Sequence, residues 1–107
     1  MNSQLENDLD PTPLVEALIE KTRAGKLKWE ATAAPNTYIS SVGGNTTLEI
    51  DDDEYLTLSL TDSQGKTFMV ISTSEAPGLR VLARLARRIA NKVDERMQAL
   101  IEVVQKL

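Results

Sequence analysis

Two hydrophobic periods divide the chain. Between Pro11 and Gly25 apolar residues recur at helical spacing: Leu14, Val15, Leu18 and Ile19 share one face, and Glu16, Glu20, Lys21 and Arg23 cover the rest. Asp10-Pro11-Thr12-Pro13 suits the entrance of this helix, because Asp10 or Thr12 can cap it and proline gives up no hydrogen bond in a first turn. Gly25 suits its exit, with Lys21 and Arg23 placed to complement the helix dipole.

From Lys26 onward the period is two. Leu27 and Trp29 alternate with Lys26, Lys28 and Glu30, which predicts a short half-buried strand ended by Ala33-Ala34-Pro35-Asn36. Strands are predicted over 37–42 and 46–50, joined by a Gly43-Gly44-Asn45 hairpin turn. Residues 55–61 give the clearest alternation, with Leu56, Leu58 and Leu60 inward. After Asp62-Ser63-Gln64-Gly65 a last strand is predicted over 67–72, and Ser74-Glu75-Ala76-Pro77-Gly78 stops the sheet.

Beyond Gly78 the helical spacing returns. Leu79, Leu82, Ala86, Ile89 and Val93 step by three and four, and Met97, Leu100, Val104 and Leu107 continue after one extra residue. This order predicts an α+β fold: an N-terminal helix, an antiparallel four- to five-stranded meander, and a long C-terminal helix packed on one sheet face. Residues 1–10 read as a flexible leader, and residues 11–107 as a single domain. A chain of 107 residues is too short for two ordinary domains.

Composition narrows the core and the chemistry. With 4% aromatics the core must be mostly aliphatic. Lone Trp29, in phase with Leu27, is expected to anchor it, whereas Tyr38 and Tyr55 are expected to face outward. The chain has no cysteine and no histidine. Disulfides and thiolate chemistry are therefore excluded, and the commonest general base and metal ligand is missing. The acidic start MNSQLENDLD does not resemble a secretion signal, and no apolar run reaches the roughly 20 residues of a membrane span. A cytoplasmic protein is expected.

Three motifs suggest chemistry and fail on context. Gly65-Lys66-Thr67 looks like the end of a phosphate-binding loop, but Leu60 stands where the first glycine should be, and the segment joins two strands. Ser63-Gln64-Gly65-Lys66 has the Ser-x-x-Lys spacing of acyl-transfer enzymes, which needs a helical turn rather than a hairpin tip. Asp51-Asp52-Asp53-Glu54 is an acidic run without the glycine and alternate spacing of a calcium loop. No catalytic, cofactor or metal residue is predicted.

Charge is divided along the chain. Residues 1–78 carry 13 acidic and 5 basic side chains, and residues 79–107 carry 3 and 7. Arg80, Arg84, Arg87, Arg88 and Lys92 form a basic stripe, expected to pair with acids of the sheet or of the leader, or else to meet phosphates or an acidic partner. A net charge of −4 opposes a polyanion, so nucleic-acid binding would need a locally focused contact.

Length is the other anomaly. A continuous helix over 79–107 would be about 43 Å long, against strands of about 20 Å. Its far half would overhang the sheet, yet Met97, Leu100, Ile101, Val104 and Leu107 keep it apolar on one side. The first helix offers a single apolar face, which the sheet is expected to occupy. The overhang is therefore expected to be an interface.

The stretch from Leu18 to Glu30, which reads LIEKTRAGKLKWE, resembles the opening of a group of short, uncharacterised bacterial proteins. In these a helix ending in a Gly-Lys-Leu-x-Trp segment leads into β-hairpins and a closing helix. The resemblance extends through Leu85-Ala86-Arg87-Arg88, spanning about residues 14–95. It implies the same fold and a bacterial cytosol, and no activity. The expected role is a non-enzymatic protein–protein interaction module that forms a homodimer or pairs with another protein through the C-terminal helix. A regulatory nucleic-acid-associated protein using the stripe over 80–92 is one alternative. A small enzyme without histidine or cysteine is another.

Overall fold

The computed structural model describes residues 10–107, so most of the expected leader, residues 1–9, lies outside the described residues. Helix α1 spans Thr12–Arg23. Five strands follow: β1 Glu30–Ala31, β2 Thr37–Val42, β3 Thr46–Asp52, β4 Leu56–Thr61 and β5 Thr67–Ser72. Two helices close the chain, α2 Leu79–Ala90 and α3 Val93–Gln105. The strands form one antiparallel sheet in sequence order, an α+β meander as the alternating segments predict.

Local chemistry explains the element ends. Asp10 Oδ1 accepts the Thr12 amide at 3.0 Å, and that bond holds its carboxyl below the usual range. At the other end of α1, Gly25 takes φ +76°. Its amide reaches Thr22 O at 3.1 Å and the Lys26 amide reaches Lys21 O at 2.9 Å, closing both orphan carbonyls. This turn folds the chain back, so that Trp29 lies under α1 and its Nε1 donates to buried Thr22 Oγ1 at 3.1 Å. The predicted alternation of Leu27 and Trp29 holds in burial, but only Glu30–Ala31 enters the ladder.

Register assembles the core. Tyr38, Ile50, Leu58 and Ile71 stand opposite one another across β2, β3, β4 and β5, and all four are buried. The expected outward orientation of Tyr38 is thus corrected. Strand β2 carries apolar residues on both faces, Tyr38 on one and Ile39 on the other, so its own alternation leaves its facing ambiguous. Tyr55 is exposed, as expected.

Helix α2 crosses the inner face of the sheet, burying Leu79, Leu82, Ala83 and Ala86, a pattern of one helical stripe. Helix α1 packs chiefly against α2. This differs from the expectation that the sheet takes its apolar face. The inner face is instead covered by α2, which touches β1, β2, β3 and β4.

The long C-terminal helix is two helices. The chain breaks at Asn91 and Lys92, where Lys92 adopts φ +53°, ψ +44°. The break coincides with the extra residue in the hydrophobic spacing: Ile89, Val93 and Met97 are separated by two successive steps of four. In a straight helix the stripe would rotate off α2 at that point, and the left-handed residue re-aims it. A lysine in this conformation costs roughly 1–2 kcal/mol. Lys92→Gly is therefore expected to stabilise the fold by up to about 1 kcal/mol, the strain relief exceeding the entropy cost of glycine. In a continuous helix the same substitution would destabilise by about 1 kcal/mol. The sign of the change in urea unfolding checks the break.

Candidate functional site

Helix α3 is the part of the chain that packing leaves unexplained. It has 13 residues and none of them is buried. Arg88 at the end of α2 reaches over the break and donates Nε to Asp94 Oδ1 at 2.9 Å, and this contact raises the arginine's already high pKa. Both side chains are exposed, so the pair fixes direction more than it adds stability.

Six apolar side chains of α3 share one arc, with Arg96 among them: Val93, Met97, Leu100 and Val104 form its middle line, Ile101 and Val103 lie to either side, and Leu107 continues the line just past the helix end. At 100° per residue they span about 160°, wider than a simple two-row seam. Leu100 is 61% exposed and Leu107 97% exposed, and Met97, Ile101, Val103 and Val104 are exposed as well. All five predicted interface residues, Met97, Leu100, Ile101, Val104 and Leu107, therefore share one exposed surface. Val103 joins them although the steps of three and four pass over it; its place on the flank of the line is the signal that marks it. The polar residues Glu95, Gln98, Glu102 and Gln105 occupy the opposite side.

The basic stripe is divided rather than brought together. Arg80, Arg84 and Arg87 line a shallow depression of about 200 Å³ with Asp52, Leu56 and Ala83, at the end of the sheet. Arg88 turns away to Asp94, and Lys92 leaves the helix at the break. Of the expected partners, no acid of the sheet pairs with the stripe, Arg88–Asp94 being the one ion pair among the described residues, and residues 1–9 of the leader lie outside them.

The motifs rejected on sequence have clear structural occupations. Asp62 Oδ1 accepts the amides of Gln64 and Lys66, each at 2.9 Å, and Asp62 O accepts that of Gly65 at 3.0 Å, so the turn spends its amides on Asp62. Asp51 and Asp52 end β3, paired with Thr57 and Leu56, while Asp53 and Glu54 lie in the following turn. No three acidic side chains among the described residues converge on a point that could hold a metal ion.

The β5 edge of the sheet is a second place where apolar side chains are exposed. Phe68 and Val70 of β5 face solvent. The ladder shifts register between Leu60 and Thr61, leaving Phe68 as the extra residue of a bulge. A bulge bends an edge strand away from flat pairing, which protects it from adding further strands. Among the described residues no helix is long and apolar enough to cross a membrane.

Comparison with family models, curated proteins and solved structures gave no match.

Proposed function

We propose that this chain is a non-enzymatic protein–protein interaction module of the bacterial cytosol that self-associates through α3. One observation carries the reading: a helix of 13 residues buries none of them and leaves a broad, largely apolar arc exposed. An isolated helix of about 12–15 residues is marginal in water, and most helical stability comes from packing an apolar face. A second copy supplies the missing surface with the same side chains, and two-fold pairing is the commonest closed solution. The bacterial and cytosolic setting rests on the resemblance of the segment from Leu18 to Glu30.

Six side chains on this arc are exposed by between 40% and 97%. Covering them contributes roughly 5–11 kcal/mol per copy, taking about 1.5–3 kcal/mol for each fully buried residue. Association costs about 4–15 kcal/mol. The balance favours a reversible dimer that depends on concentration.

The nucleic-acid reading has Arg80, Arg84 and Arg87 in its favour. Against it stand the net charge of −4 and the Asp52 carboxylate in the same depression. A phosphate placed there would meet a like charge at short range.

The test is Leu100→Glu with Val104→Glu, followed by sedimentation equilibrium over a concentration series. The parent chain is expected to approach twice its monomer mass. The double variant is expected to stay monomeric, keep its sheet and lose helical circular dichroism as α3 frays. If the double variant unfolds outright, α3 is part of the intramolecular core. If it keeps the parent's dimeric mass, the self-association surface lies elsewhere; either outcome refutes the proposal.

A further inference from the structure

Within this self-association reading, on which the following rests, the geometry points to an antiparallel pair of α3 helices, with Val93 of one copy packed against Val104 of the partner subunit. The middle line of the arc, at 93, 97, 100, 104 and 107, alternates steps of four and three. That is the spacing of the two core positions of a coiled-coil heptad. In an antiparallel pair the two kinds of core position face each other. Val93 then meets the partner's Val104, and Met97 meets the partner's Leu100, about a two-fold axis midway along the helix.

Two features of this chain select antiparallel over parallel. The first is charge. A parallel pair would bring both globular bodies to the same end of the helix pair. Lys92, Asp94, Glu95 and Arg96 of each copy would then stand level with their own counterparts, like sign beside like sign. Like charges at close range oppose such an assembly. An antiparallel pair places the bodies at opposite ends.

The second feature is the dipole of α3. An antiparallel pair sets the positive end of each helix beside the negative end of its partner, whereas a parallel pair sets like ends together.

The absence of cysteine makes the orientation directly readable. Val93→Cys and Val104→Cys are made separately, and each is oxidised alone and as an equimolar mixture, beside the parent chain's mass in solution. The two positions are 11 residues apart, about 16 Å along a helix, far beyond disulfide reach of about 7 Å between Cα atoms. The expected result is a covalent dimer in the mixture and in neither variant alone. Covalent dimers of each variant alone would establish a parallel pair and overturn the inference. A dimeric mass with no cross-link in any sample would also overturn it, because α3 would then not pair along this line. A parent chain that stays monomeric at every concentration would instead refute self-association itself.

Discussion

Leu58→Ala is expected to lower the unfolding free energy by about 2–5 kcal/mol, the range for an excavated core leucine. Leu58 is fully buried, and its cross-strand neighbours Ile50 and Ile71 are fully buried too. It therefore lies at the centre of the row that begins at Tyr38, with sheet neighbours on both sides and α2 above. Three constraints meet there: the flanking strands are pinned by their ladders, and α2 is held against α1. Little of the cavity can be closed by relaxation, which places the cost in the upper half of the range. Leu56→Ala provides the comparison, because Leu56 is only partly buried at the end of the same strand. Urea titration of both variants measures the difference. A loss below about 1 kcal/mol for Leu58, the scale of a surface change, would mean that the row is not the core.

The sheet was legible because its segments obey one period between unambiguous stops. In β4 every second residue is leucine, and burial follows that order at Leu58 and Leu60. Gly43 and Gly44 both take the positive φ their hairpin needs, so turn chemistry and alternation agree. Strand β2 was harder to face because Tyr38 and Ile39 offer both surfaces an apolar residue; register with Ile50 decides the matter, and register is a property of the neighbouring strand. The break in the C-terminal helix was hidden for a different reason. Asn91 and Lys92 are both tolerated inside helices, and its trace in the sequence is a one-residue slip of the hydrophobic stripe. The salt bridge across the break joins residues six apart, which the three- and four-residue spacing of a continuous helix does not bring together. The exposed arc of α3 was legible because its apolar line repeats regularly, whereas the division of the arginines depended on that hidden break.

Trp29→Ala is expected to cost about 3–5 kcal/mol, the range for removing a large buried aromatic. Trp29 is only 3% exposed and is the one tryptophan in the chain. It fastens the segment after α1 to the underside of that helix through both its ring and its hydrogen bond to Thr22 Oγ1. The two contributions are separable. Thr22→Val keeps the shape of the side chain and removes the acceptor, leaving the indole N–H buried and unpaired, at a cost of about 1–3 kcal/mol. In a Trp29→Phe background the donor is absent, so the same Thr22→Val change is expected to be nearly neutral. The difference between the two costs, measured by chemical denaturation as a double-mutant cycle, isolates the hydrogen bond from the packing of the ring. Equal costs in both backgrounds would show that Thr22 is buried for its volume alone, and that packing rather than the indole bond fixes the turn at Gly25.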